Sequence, residues 1–350
     1  MTRIQLAVLV SAVIGLAGSA LAAGQAMYNW ATDPEASDPD YAQSKAICRR
    51  LGAPVIPAAD RPDAQDAATL KGCNSEALYY GEGVATDFVK ARQCAILEDQ
   101  RGDDDDTFSG KTILLQVYAN GQGTARNIPL ATAIACSIQA PIGGNNELVL
   151  GLQKLAEKPV HFDICDNIMV TYDIGTCVAR DSVIAGYARD RKIADVLHRL
   201  RPASASLFPD LRTAFNAFAQ AHADNEVDMS GTERAYTVIG EHDRERDQFL
   251  TDLTRLADGQ WLRASHADAL AADAALNRSY KKGLDACAVS DNNYSTVTAS
   301  GVRSTQRTWI VYRDAYVRFA AIAAPNVPQD AILARLTKLR TAELDDLPCG

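Results

Sequence analysis

The chain has 350 residues, of which 44 are Asp or Glu and 35 are Lys or Arg, so its formal net charge is −9. A surface of this sign argues against nucleic acid as a partner, because phosphates require Lys and Arg, and it favours a basic partner or simple solubility. The length predicts two or three domains with ample core.

The first 22 residues have the pattern of a secretory signal peptide. Arg3 precedes an apolar run from Ile4 to about Leu21, and the run ends in the triplet Ala20-Leu21-Ala22. A positive start, an apolar segment and an A-x-A site predict cleavage after residue 22 and export to the periplasm or beyond. An uncleaved membrane anchor is the alternative, since the run approaches the roughly 20 residues of a spanning helix. The small-residue end favours cleavage, and we expect no stable membrane insertion of the mature chain.

Eight cysteines follow this segment: Cys48, Cys73, Cys94, Cys136, Cys165, Cys177, Cys287 and Cys349. An even number in an exported protein indicates disulfide bonds rather than free thiols. Zinc is the rival interpretation, but the sequence has no C-x-x-C pair and no His-x-x-x-His pair, and its five histidines are scattered. We therefore predict disulfides, no metal site and no cofactor. The count alone leaves the connectivity open.

The stretch from about 70 to 140 contains an internal repeat with a period of 40 residues. Four positions of the first unit match four of the second: Gly81 with Gly121, Gly83 with Gly123, Asp87 with Asn127, and Ala91 with Ala131. Each unit is predicted to be a helix that ends in a Gly-x-Gly turn, followed by a second helix that Asp or Asn caps. A period of this size predicts stacked helical hairpins.

These units resemble Sel-one-like repeats, which are relatives of the tetratricopeptide repeat. The strings "LYYGEGVATDFVKARQC" and "VYANGQGTARNIPLATAIAC" carry the resemblance. The second unit departs from the family at Thr124, where Val is usual, and Cys94 and Ile134 replace the aromatic residue of the second helix. The resemblance implies a protein-binding scaffold over residues 23–145, although two units alone form a small surface and a purely structural role stays open.

Residues 146–262 form a less regular middle region, for which apolar spacing predicts three helices. These helices cover about 181–199, 207–223 and 232–256. The segment Asp224–Asp228 lacks the alternating ligands and the central Gly of a calcium loop, so we interpret it as a solvated or capping turn. His242 has acidic neighbours but no Ser or Cys partner in the sequence, and we interpret it as a histidine on a helix surface.

Residues 263–350 are predicted to be a three-helix bundle. Ser265 and Asp268 have the spacing of a capping box, which predicts where the first helix begins. Apolar and aromatic side chains then recur at three- and four-residue steps along each helix, and Pro328 suits the start of the third helix. The whole chain is thus predicted to be all-α, with helical hairpins, a disulfide-stapled helical middle and a C-terminal bundle.

Three blocks of this last region resemble, in the same order, those of the LprI-like lysozyme inhibitor family. They are "ADAALNRSYKKGLDAC", "STQRTWIVYRDAYVRFA" and "LARLTKLRTAEL". The resemblance implies six candidate binding residues: Asp273, Asn277, Tyr280, Trp309, Arg313 and Arg340. An architectural role is the alternative, which we favour because residues at apolar helical spacing mostly form core. A contact with lysozyme is then expected from exposed loops such as 290–300.

One departure from the family concerns the disulfides. The family commonly has a cysteine just after the Arg313-Asp314 pair, whereas this sequence has Tyr316 and no cysteine nearby. We predict four pairs: Cys287–Cys349 from this departure, Cys165–Cys177 from its short separation, and then Cys48–Cys73 and Cys94–Cys136.

Two strings are typical of serine penicillin-binding enzymes, Ser279-x-x-Lys282 and Ser290-Asp291-Asn292. They lie close together with no K-T-G after them, so we treat them as coincidence. The sequence has no other nucleophile or nucleotide-binding signature, and we interpret the acidic run Asp103–Asp106 as a solvated loop. A glycosidase needs two carboxylates across a cleft, and no sequence feature selects such a pair.

We therefore predict a non-enzymatic, periplasmic or secreted binding protein that docks an acidic surface on a basic, lysozyme-type muramidase and blocks its glycan cleft. The alternative is a repeat scaffold that mediates protein–protein interactions in the cell envelope. A third class, an enzyme that acts on the cell wall, is the least favoured. The sequence does not identify the partner or the oligomeric state.

Overall fold

The structure is a computed structural model that describes residues 28–102, 107–157, 160–167, 171–288 and 295–349. The predicted signal peptide, the acidic run 103–106 and the string Ser290-Asp291-Asn292 lie outside the described residues. Helices make up the secondary structure of the described ranges, which contain no strand, so the all-α prediction is confirmed. In these ranges, no helix combines the length and the apolar character needed to cross a membrane.

Thirteen α-helices are found in the described residues. The first seven are α1 (Ala42–Leu51), α2 (Ala64–Thr69), α3 (Ser75–Tyr80), α4 (Phe88–Arg101), α5 (Gly110–Asn120), α6 (Ile128–Ala135) and α7 (Ile142–Glu157). The other six are α8 (Thr171–Arg199), α9 (Phe208–Asn225), α10 (Arg234–Ala257), α11 (His266–Ala286), α12 (Ala299–Ala323) and α13 (Gln329–Asp345). The three helices predicted for residues 263–350 are thus present, and the predicted capping box of Ser265 and Asp268 opens α11.

The two repeat units have the same turn and the same capping hydrogen bonds. The first helix of each unit ends at Gly81 or Gly121, with φ of 79° and 70° respectively. The next helix begins after Asp87 or Asn127, whose side chain accepts a hydrogen bond from the backbone N–H three residues later. Glycine adopts such positive φ without steric cost, and Asp and Asn are good N-caps, which explains these local features. Membership of the Sel-one-like family stays a prediction.

A first core runs from Trp30 to Cys177. Successive helices from α3 to α7 pack on one another, and α1 packs against α6 and α7. The indole N–H of Trp30 donates to Ser44 Oγ at 2.9 Å, and its backbone N–H donates to the carbonyl of Cys136 at 2.9 Å. The segment before α1 is therefore tied into the interior of the helical stack.

A second core runs from Ile193 to Leu344. Helix α9 packs along α12, α11 packs along α13, and α10 packs against α8 and α9. The long helix α8 contributes to both cores, because Cys177 belongs to the first and Ile193 to the second. The region predicted as a separate middle thus divides between the two cores, with α7 in the first and α9 and α10 in the second. The domain boundaries at residues 145 and 262 stay predictions.

All eight cysteines are paired. Two pairs are as predicted, Cys165–Cys177 and Cys287–Cys349. The predicted pairs Cys48–Cys73 and Cys94–Cys136 are wrong, since the structure contains Cys48–Cys136 and Cys73–Cys94. The reason is the packing of α1 on α6, which brings two cysteines together across a sequence separation of 88 residues.

Candidate functional site

Two loops meet at one end of the C-terminal helices. We call residues 226–231 and 295–298 the loop cluster. The carboxylate of Asp228 accepts hydrogen bonds from the backbone N–H groups of Ser230 (3.0 Å) and Thr296 (3.1 Å) and from both hydroxyl groups. The Thr296 hydroxyl also accepts a hydrogen bond from Met229 N–H at 2.7 Å. These hydrogen bonds, led by the one from Ser230 N–H, lower the pKa of Asp228 to about 2, so its carboxylate stays ionised.

The disulfide Cys287–Cys349 holds the same end of the bundle. It joins the last turn of α11 to the segment after α13, and Ala299 N–H donates to the Cys287 carbonyl at 2.9 Å. Val297 lies between these elements and is buried. The loop cluster therefore rests on a covalent cross-link as well as on hydrogen bonds.

A buried ion pair lies directly beneath the loop cluster. Arg340 on α13 is fully buried and donates two hydrogen bonds to the Glu226 carboxylate, at 2.7 and 2.6 Å. It also donates to Gln306 Oε1 and to Glu343 Oε2, both at 2.9 Å. Burial would raise the pKa of Glu226, but the hydrogen bonds from Arg340 and His222 outweigh burial and lower it. Since Glu226 begins the first loop, Arg340 fixes the place from which that loop leaves α9.

His222 extends this network toward α10. Its Nδ1 lies 2.8 Å from Glu226 Oε2, and its Nε2 lies 3.8 Å from Glu241 and 3.9 Å from Glu245. Burial would lower the pKa of His222, but the hydrogen bond with Glu226 and the surrounding carboxylates raise it to about 10. Burial and the charge of Glu343 raise the pKa of Glu245 to about 7. At neutral pH His222 is thus a cation that links Glu226, at the start of the loop cluster, to the carboxyl groups of Glu241 and Glu245 on α10.

The six binding candidates do not form one surface. Asp273 and Asn277 are exposed on α11 and joined by a hydrogen bond of 3.1 Å. Trp309 is buried, with the half-buried Arg313 over its ring at 5.2 Å. The other two, Tyr280 and Arg340, are half-buried and fully buried. A binding role for these residues stays a prediction.

The segment Asp224–Asp228 differs from a solvated turn at Glu226 and Val227, which are both buried. Asp224 is exposed and Asp228 caps the loop, but Glu226 is buried and ion-paired, so a solvated turn is wrong for Glu226. The spacing of four residues between His222 and Glu226 on one helix was the available signal. Nothing local indicated Arg340, which lies 114 residues from Glu226 along the chain.

The charges at this end come mostly from outside the bundle's three helices. Exposed carboxylates close to the loop cluster belong to Asp224, Glu233, Asp345 and Asp346, in the last turn of α9, just before α10 and at the end of α13. Residues 257–344, by contrast, contain eleven Lys and Arg against eight Asp and Glu. One exposed cation, Arg234, donates a hydrogen bond to the Gly231 carbonyl of the loop cluster, so the four carboxylates leave this end acidic on balance.

Among the described residues, one group has the spacing of metal ligands, namely Cys73, Cys94 and Glu98. Its two sulfur atoms are joined in a disulfide, so they cannot act as thiolate ligands in this oxidised form.

Residues 257–344 match the family model described as "Lysozyme inhibitor LprI". The match covers α11, α12 and almost all of α13, which is about a quarter of the chain. A comparison with curated proteins and one with solved structures gave no match.

Proposed function

We propose that this chain is an exported binding protein that inhibits a lysozyme-type muramidase, and that the loop cluster makes the contact. The observation that carries the proposal is the match of residues 257–344 to a lysozyme inhibitor family. Four disulfides are typical of proteins that work in an oxidising compartment, which agrees with export.

The loop cluster is favoured as the contact because it is restrained before binding. The bonds to Asp228, the Cys287–Cys349 disulfide and the Arg340–Glu226 pair each limit its motion. A surface that is already ordered loses little conformational entropy when a partner binds, so more of the contact energy appears as affinity. Met229 gives this surface an exposed apolar side chain.

The negative charge at this end of the bundle also favours the loop cluster as the contact. Four exposed carboxylates lie at the ends of the elements next to the loop cluster, against one exposed cation, Arg234, and this excess would steer a basic enzyme toward it. Once docked, the loops would cover the glycan cleft and exclude the substrate. The family-motif residues Gln306 and Arg340 act in this proposal as positioning residues, since both hold Glu226 or its partner from inside the core.

The test is the loss of turbidity of a peptidoglycan suspension digested by a c-type or a g-type lysozyme, with the oxidised protein lacking residues 1–22 added in excess. Asp228→Ala removes the acceptor that joins the two loops, and Asp330→Ala is the matched control at the opposite end of α13. We expect wild-type inhibition, a weakening of about tenfold in Asp228→Ala and no change in Asp330→Ala.

Each contrary result has a distinct meaning. Undiminished inhibition by Asp228→Ala would place the contact elsewhere on the chain. No inhibition by a folded, oxidised wild-type sample would refute the inhibitor function and favour the repeat scaffold, whose turns carry the exposed side chains of Val84 and Val89. Clearing of the suspension without any lysozyme would show that the chain is an enzyme.

A further inference from the structure

A cleft of about 430 Å³ opens between α8, α9 and α10. None of its lining residues lies in the matched region 257–344 or in the loop cluster. Phe215 and Phe249 close its base, stacked with centroids 4.2 Å apart and only 3% and 2% exposed. The apolar side chains that are open to the cleft are Val183 and Tyr187, which are 44% and 42% exposed. The volume lies within the range of small-molecule sites.

The rim of the cleft is basic, in contrast to the chain as a whole. Arg189, Arg212 and Arg246 line it together with one carboxylate, that of Asp190. Arg189 is buried, and its guanidinium donates hydrogen bonds to the Asp243 carboxylate and to backbone carbonyls of α8 and α10. It is therefore a fixed part of the wall.

Arg212 and Arg246, in contrast, have N–H groups that make no hydrogen bond among the described residues. Arg212 donates one hydrogen bond to Asp190, and Arg246 has only a long contact of 3.6 Å with Asp243. Both side chains are about two-fifths exposed, at 41% and 39%, so they can reach a ligand in the open cleft. Guanidinium groups bind carboxylates through paired, charge-assisted hydrogen bonds.

His242 and Asn216 complete the polar rim. Neither side chain makes a hydrogen bond within the part of the chain that the structure describes. Burial and the charge of Arg246 lower the pKa of His242 from its usual value. Its ring is thus neutral at neutral pH, with one donor and one acceptor nitrogen. The surface histidine predicted from the sequence is instead half-buried in this cleft.

We propose that this cleft binds a small carboxylate with a flat apolar body. The body lies against Val183 and Tyr187, and Arg212 and Arg246 bind the carboxylate at the rim. This site does not depend on the inhibitor function, because the two share no residue.

Gly186 provides a variant that fills the cleft. It lines the cleft from α8, and a Cβ atom built on it meets no atom within 4 Å. A leucine at this position can therefore enter the cleft without a backbone clash. Gly240 on α10 is the matched control, since its Cβ would also meet no atom within 4 Å and it does not line the cleft.

The experiment titrates the oxidised protein lacking residues 1–22 with 2-naphthoate, and with its neutral analogue 2-naphthamide, by calorimetry. We expect saturable binding of the acid, with the amide at least about tenfold weaker, since only the acid carries the charge that the two guanidinium groups bind. Gly186→Leu should abolish binding, and Gly240→Leu should leave it unchanged. Arg212→Gln should weaken binding about tenfold, whereas Arg191→Gln, on an exposed position outside the cleft, should not.

Three results would overturn the proposal: no saturable binding of naphthoate up to about 1 mM, equal binding by Gly186→Leu, or equal affinity for acid and amide. If circular dichroism shows that Gly186→Leu does not fold, the affinities of Arg212→Gln and Arg191→Gln for naphthoate test the proposal instead. Equal affinity in those two variants would also overturn it. Lysozyme inhibition by Gly186→Leu should equal that of the wild type, which keeps this test separate from that of the proposed function.

Discussion

Replacing Arg340 with methionine removes the guanidinium that joins α13 to the end of α9 and keeps most of the apolar stem. Arg340 makes two hydrogen bonds to Glu226, one to Gln306 and one to Glu343. Removing one partner of a buried ion pair costs about 3–5 kcal/mol, because the other charge stays buried and unpaired. Since Glu226 keeps its hydrogen bond to the His222 cation, we expect the lower end, about 3 kcal/mol.

The measurement is urea unfolding of the oxidised chain, followed by tryptophan fluorescence, because Trp261 and Trp309 lie in the second core. Arg313→Met is the matched control. Arg313 is partly exposed and pairs with its exposed neighbour Asp314, so its loss should cost less than about 1 kcal/mol.

The architectural interpretation of Arg340 fails if Arg340→Met and Arg313→Met lower the free energy of unfolding equally. It also fails if Arg340→Met keeps the wild-type stability but abolishes inhibition of lysozyme, because Arg340 would then have to reach the partner. In the double variant Glu226→Gln/Arg340→Met we expect the two losses to be less than additive, since the second substitution removes the charge that the first left unpaired.

Three further predictions concern stability. The pKa of His222 is raised to about 10, so its contribution to the free energy of unfolding is complete below the unfolded value near 6.5 and is lost as the pH rises toward 10. We expect on the order of 4 kcal/mol to disappear over this range in the wild type but not in His222→Gln. Urea unfolding at each pH measures the loss. Tyr316→Phe should keep the free energy of unfolding or raise it by up to about 1 kcal/mol, because the hydroxyl is buried without a partner among the described residues. A clearly lower melting temperature of Tyr316→Phe would mean that a bound water or ligand accepts or donates a hydrogen bond at this hydroxyl. Gly123→Ala should lower the melting temperature, because φ is +74° and the new Cβ would lie 2.4 Å from the Phe88 carbonyl oxygen. Gly240→Ala lies in an open helical position and should raise the free energy of unfolding by about 0.5–1 kcal/mol. Equal effects of the two variants would contradict the helix–turn geometry.

The structural features that the sequence predicted correctly depend on residues that are close together along the chain. Gly121 ends a helix and Asn127 caps the next because both preferences are local to the backbone. The pair Cys165–Cys177 is local as well, with a separation of 12 residues. The pair Cys48–Cys136 is not, because it depends on which helix α1 packs against, and helical periodicity identifies a buried face without naming its partner.

The candidate site was harder to predict for the same reason. The family blocks identify Gln306 and Arg340 but not Glu226, which lies outside them. The cleft between α8, α9 and α10 has no sequence signature at all, since its arginines and aromatic residues come from three helices that each look like an ordinary amphipathic helix.

The Arg340–Glu226 pair bears on how far the family match can be treated as an independent unit. The matched residues 257–344 contain Arg340 and Glu343 but not Glu226, which accepts two of the hydrogen bonds from Arg340, and α12 packs along α9, which also lies outside the match. The aromatic face of α12 is completed in the same way, because Tyr312 stacks on Phe218 with parallel rings 5.6 Å apart. One half of the loop cluster, residues 226–231, likewise comes from before the match. A fragment limited to the matched residues would therefore lose the carboxylate that accepts two hydrogen bonds from Arg340 and would expose an apolar face, so its failure to inhibit lysozyme would say nothing about the intact chain. Point variants at Asp228 and Asp330 in the chain lacking residues 1–22 are the informative comparison, because Asp228→Ala changes the loop cluster, Asp330→Ala does not, and both leave the two cores in place.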